Sequence, residues 1–207
     1  GVGALCLPET NTNWTLPTSQ SQLTRIIRPI WTCSNTQTSH IDDSFTSTHQ
    51  PGGTLTMICE NWASRIVEKG SDPYGLGRWS YFILQRKGDV RIAIITAYQV
   101  CTATPSSLGP TTYAMQQYRK LSSTFRSENK TLQPNPRRQF ILDLQAWLEH
   151  LIRNKHDIIL SLDGNEDYTQ TAKNYIPLSF TPGKHVTSSA HDGTLSTLVN
   201  TCGLIDP

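Results

Sequence analysis

"RRQFILDLQAWLEHLIRNKHDIILSLDGN", residues 137 to 165, decides the fold. In its first half Phe140, Ile141, Leu144, Trp147, Leu148, Leu151 and Ile152 recur at helical spacing, which predicts an amphipathic helix over 137–153. In its second half "DIILSL" is a continuous apolar run and predicts a strand. A helix leading into a strand of this kind is the α/β pattern, in which both faces of the sheet are covered. The helix needs a flat apolar surface to pack on, and the sheet containing "DIILSL" supplies it.

Upstream of this unit, "TLTMICE" from 54, "RWSYFILQR" from 78 and "VRIAIITAY" from 90 read as strands, with "KGD" as a hairpin turn between the last two. A Tyr- and Gln-rich helix is predicted from about 111 to 127. At the start, "GVGALCL" reads as a buried strand broken by Pro8, which puts Glu9 at its C-terminal edge. Leu23, Ile26, Ile27, Ile30 and Trp31 share one helical face, and Pro29 should kink or shorten that helix. Residues 32 to 53 are rich in Ser, Thr and Asp and end in "QPGG", the composition of a long surface loop. Downstream, Asp192 is the expected cap of a last helix bearing Leu195, Leu198 and Val199, Gly203 its stop, and "GLIDP" the start of another strand.

The chain has 207 residues, 36% hydrophobic and 16% charged, which suits one domain with a sizeable core and many polar loops. Its formal net charge of +2 provides no basic tail, so binding to a polyanion must rest on local groups. The five cysteines are scattered, odd in number and without a CxxC pair, so we expect reduced, mostly buried thiols. No apolar run approaches the ~18 residues that cross a bilayer. No basic and apolar leader is visible, and the expected location is intracellular, nucleus or cytoplasm.

Just after the "DIILSL" strand, Asp163, Asn165, Glu166 and Asp167 crowd together. An EF-hand loop would use Asp163, Asn165 and Asp167, but Tyr168 stands where its Gly is needed and Asn174 where its bidentate Glu is needed. The alternative is a hydrolytic site at the C-terminal ends of sheet strands, where open α/β sheets bind ligands. Such a site uses one carboxylate for a hard divalent cation, another to orient water, and neutral donors to steady the developing charge. Glu9, Asp163, Asn165 and Tyr98, each at a strand end, supply those chemical types. Glu166, Asp167, His185 and His191 read as surface groups.

"LPETN" at 7 to 11, the Gly pair of "QPGGTLT", "GRWSYFIL", "VRIAIITAYQV", "RRQFILDLQAWL", "DIILSLDGNED" and "LVNTCGLIDP" occur in an order that resembles the endonuclease/exonuclease/phosphatase superfamily. The apurinic-endonuclease-like members and the endonuclease domains of retrotransposons are the most similar. The resemblance implies a four-layered α/β sandwich, two facing mixed sheets with outer helices. It implies a magnesium-dependent phosphodiesterase, with manganese as a substitute, that acts as a DNA endonuclease.

By the same resemblance Glu9 matches the magnesium-binding Glu and Tyr98 a phosphate-contacting Tyr. Asp163 matches the residue that positions the attacking water, Asn165 a transition-state donor, and Arg138 a basic residue near the substrate backbone. The family's first-strand Asn would fall before Gly1 and its closing Asp-His pair after Pro207. His185 and His191 precede "GLIDP" and match neither. The expectation is therefore a single domain, 1 to 207, lacking the first strand and the C-terminal strands, cutting weakly or not at all alone. A downstream reverse-transcriptase domain in a larger polypeptide is the partner this implies besides DNA.

Two other classes fit the same residues. One is a phosphatase or phosphodiesterase acting on lipids, inositol phosphates or nucleotides, because a catalytic core does not name its substrate. The other is a non-catalytic remnant. Basic or aromatic groups facing the site would favour DNA, and the Arg137–Arg138 pair and Arg78–Trp79 are the candidates.

Overall fold

Strand β6 (Arg91–Tyr98) lies at the centre of the computed structural model, which describes residues 2–41, 47–101, 109, 111–129, 131, 133–165 and 195–204. It pairs antiparallel with β5 (Trp79–Gln85) through the expected hairpin, where Gly88 takes φ 72° and Arg86 N donates to Val90 O at 2.8 Å. On its other side it pairs in parallel with β7 (His156–Asp163), the strand read from "DIILSL". β4 (Ile66–Ser71) completes a four-stranded sheet in the order β4-β5-β6-β7.

A second sheet has the order β1-β3-β2, from β1 (Ala4–Pro8), β2 (Ser34–Ser39) and β3 (Thr54–Cys59), all antiparallel. The fold is thus mixed α/β with two sheets and helices.

Strand alternation sorts the core. From β5 and β6, Trp79, Ile83, Ala93, Ile95 and Ala97 face α3 (Pro136–Arg153) and α4 (Leu195–Cys202), meeting Phe140, Ile141, Leu144, Leu148, Leu195 and Leu198. The opposite face brings Phe82, Leu84 and Ile94 against Ile58, with Ala4 and Cys6 alongside. Nearer the C-terminal end of β6, that contact becomes a buried set of hydroxyls. Thr54 Oγ1 lies 3.0 Å from Ser80 Oγ, and Thr56 Oγ1 lies 2.8 Å from both Ser80 Oγ and Thr96 Oγ1. The far side of β3 exposes Leu55, Met57 and Cys59 to Trp14 and to Leu23 and Ile27 of α1 (Pro17–Ile27).

Several expectations need correction. Residues 32 to 53 are not all loop: "SNTQTS" forms β2, held by its backbone ladder to β3 with no apolar alternation to announce it. A 3₁₀ helix at Glu60–Arg65 and strand β4 were not predicted; "IVEKGS" has no buried residue and carries a register shift between Ile66 and Glu68. Helix α1 stops before Pro29 as its sequence demands, but Ile26 and Ile30 are exposed. β7 is not covered on both faces: among the described residues it is an edge strand, and Ile159 is 55% exposed.

The cysteines are free thiols as expected, yet only Cys59 is buried and Cys33 and Cys101 are exposed. α2 (Tyr113–Ser127) and α3 match their predicted spans closely, and α4 stops at Gly203 with φ 61°. Asp192, the end of "GLIDP", Glu166, Asp167, His185 and His191 lie outside the described residues. No helix among the described residues is long and apolar enough to cross a membrane.

Candidate functional site

The ladder between β6 and β7 closes on the pair Tyr98 and Asp163. Register partners share a face, so both side chains stand on the side that β6 turns toward the other sheet, continuing the row of Ile94 and Thr96. Gln99 N still donates to Asp163 O at 2.9 Å, and beyond that point both chains leave the ladder.

Asn165 then takes φ 49°, a left-handed conformation that Asn tolerates better than most residues. Its backbone N donates to Asp163 Oδ1 at 3.1 Å, and its Nδ2 donates to Gln99 O at 2.7 Å. The exposed Cys101 thiol donates to Asn165 Oδ1 at 3.2 Å. These contacts fix the amide with its nitrogen toward the end of β6.

Glu9, from the other sheet, brings its carboxylate near enough to Tyr98 to raise the phenol pKa. It follows Pro8 at the end of β1 and adopts φ 51°, which costs a non-glycine residue about 1–3 kcal/mol unless its surroundings enforce it. The next two residues do so: Thr10 N donates to Gly53 O at 3.0 Å and Asn11 N to Gly52 O at 2.8 Å. Gly52 N returns a bond to Asn11 Oδ1 at 2.8 Å. A side chain at Gly52 would start 2.6 Å from the ring of Tyr113, which stacks on Tyr98 with centroids 5.5 Å apart. The Gly pair of "QPGG" therefore shapes both the Glu9 turn and the seat of Tyr98.

Burial pushes the Tyr98 phenol well above its ordinary pKa of 10.0; the Glu9 carboxylate and the Cys101 thiol push it further, and the Asn165 amide opposes them. At neutral pH Tyr98 is a protonated donor. Chemically, the cluster offers two carboxylates, a phenol and a primary amide at one end of the two facing sheets.

Glu9, Tyr98, Asp163 and Asn165 thus come together, whereas Arg138 stands apart, exposed in the first turn of α3. Its neighbour Arg137 reaches the strand ends, donating to Val100 O and, at 3.4 Å, to Gly164 O. Adjacent positions on a helix point about 100° apart; the sequence alone does not say which of the two faces the site. Arg78 and Trp79 are buried, which removes them as surface contacts for a large substrate.

Among the described residues no three His, Cys, Asp or Glu side chains gather as a metal cage. Magnesium binds through one or two carboxylates and keeps several waters, and the exposed Glu9 carboxylate fits that role. A scan of protein-family models finds no match to this chain, and a search of curated proteins finds none.

Proposed function

We propose that this chain carries a magnesium-dependent phosphodiester-hydrolysing site and acts on DNA as an endonuclease of the apurinic or retrotransposon type. The finer fold reading is the four-layered sandwich of the endonuclease/exonuclease/phosphatase superfamily, supported by two sheets in contact with α1 against one and α3 against the other. One observation carries the functional reading: Tyr98 and Asp163 are register partners at the ends of β6 and β7, Asn165 is bonded back onto that end through Gln99 O, and the Glu9 carboxylate of the other sheet lies close enough to the Tyr98 phenol to raise its pKa. Buried structural polar groups satisfy one another, but here an exposed carboxylate on a left-handed turn is held at an open edge.

In this reading Glu9 holds the metal, which when bound neutralises charge on a phosphoryl oxygen. Asp163 accepts a hydrogen bond from the attacking water and orients it in line with the scissile bond. The Tyr98 phenol and the Asn165 amide donate to the phosphate oxygens as charge builds on them.

The test is nicking of supercoiled and abasic-site DNA by the chain, with Mg²⁺ and with EDTA. EDTA-sensitive nicking that falls by about 10²- to 10⁴-fold in Asp163→Ala is the expected result. A folded protein that leaves DNA intact overturns the DNA reading and turns attention to phospholipid and nucleotide substrates.

A further inference from the structure

Arg137 donates to two backbone carbonyls that belong to different strand ends, Val100 O after β6 and Gly164 O after β7. Its own carbonyl accepts from Gln99 Nε2 at 3.3 Å. These three contacts straddle the place where the ladder stops, between the segments that carry Tyr98 and Asn165. The side chain is aimed there by its helix start: Asn135 Oδ1 accepts from Arg137 N at 3.1 Å and from Arg138 N at 3.2 Å, and Pro136 fixes the first turn.

Val100 and Gly164 are both buried, so their carbonyls depend on protein donors in place of water. A planar guanidinium spans two acceptors at once; an ammonium is a point donor and does not reproduce that fork.

We propose that Arg137 is a positioning residue of the candidate site. It holds the ends of β6 and β7 at the separation at which the Asn165 amide bonds to Gln99 O, next to Tyr98. The consequence for catalysis rests on the phosphodiester reading; the effect on Asn165 does not. Loss of the clamp lets the segment Gly164–Asn165 drift from Gln99 and misplaces a transition-state donor while leaving the metal-binding Glu9 turn intact.

The experiment uses Arg137→Lys, Arg137→Gln and Arg137→Ala. The side-chain amide protons of Asn165, identified by their loss in Asn165→Asp, are followed by NMR for chemical shift and exchange. In the wild type they should be shifted from the free-amide position and protected. In all three Arg137 variants they should move toward that position and exchange rapidly, least so in Arg137→Lys, which keeps one hydrogen bond and guards against a general failure to fold.

In the nicking assay kcat should fall by about 10²-fold with KM little changed. Ethylguanidinium at a sub-denaturing concentration should restore part of it to Arg137→Ala and nothing to Asn165→Ala. Unchanged Asn165 amide signals beside a lowered unfolding midpoint would overturn the proposal, as would an unchanged kcat in an active enzyme. A wild type that cuts no DNA but whose Asn165 amide responds to Arg137 defeats the phosphodiester reading and leaves the positioning role standing.

Discussion

Gly52 acts on Tyr98 through a single intermediate, the ring of Tyr113, and the contact leaves no room for a methyl group. At φ 77° a side chain is strained by the backbone alone, and a Cβ would also lie 2.6 Å from that ring. Gly52→Ala is therefore expected to cost about 1–3 kcal/mol of stability and to disturb the stacked tyrosines. Urea unfolding measures the first effect and near-ultraviolet circular dichroism the second. A neutral substitution would mean that Tyr113 can swing away without consequence. At this scale the site was partly legible. Asp163 and Asn165 could be read because a D-x-N after an apolar strand fixes both side chains at a sheet edge. Arg137 could not be told from Arg138, because the choice depends on the azimuth of α3 over the sheet. Cys101 and Gln99 act through local geometry that no residue pattern encodes.

The elements are tied together by a buried charge cluster at the start of β5. Arg78 Nε and Nη2 meet the two oxygens of Asp72 at 2.6 and 2.9 Å, and Nη1 meets Asp143 Oδ2 of α3 at 2.7 Å. Burial works against the Arg78 charge, and Asp72 and Asp143 outweigh it, so its pKa rises. Arg78→Met leaves a buried carboxylate without its partner and is expected to destabilise by about 3–5 kcal/mol. A double variant that also carries Asp72→Leu should recover much of that loss in the same denaturant titration. Recovery of nothing would assign the cost to packing against Trp79 instead of to the stranded charge. Legibility among the elements follows the source of their stability. α3 and β6 announce themselves through apolar periodicity because each buries one face or both. β2 and β4 do not, since "SNTQTS" and "IVEKGS" are recruited by backbone hydrogen bonds to β3 and β5. β7 misleads in the other direction: its apolar run reads as a fully covered strand, yet its neighbours leave Ile159 exposed.

For the whole molecule the tyrosines set how the fold responds to alkali. Burial pushes the Tyr81 phenol up to about 12, with the Glu68 carboxylate that accepts its hydrogen bond at 2.9 Å adding to the shift. Tyr98 and Tyr113 are raised further, in both cases first by burial. In the unfolded chain a tyrosine loses its proton near pH 10, whereas in the fold these three keep theirs. Above that pH the native state binds more protons than the unfolded one, so stability declines as pH rises. The contribution is complete below about pH 10 and, for Tyr81, is lost as pH climbs through about 12. Urea midpoints should accordingly fall from about pH 9 toward about pH 11. The phenolate absorbance of the folded protein should show a group of tyrosines that ionise only as the fold is lost. Tyr81→Phe and Tyr98→Phe should each flatten part of that decline. If every tyrosine of the folded chain titrates near its ordinary value, the burial that the fold gives these phenols fails with it.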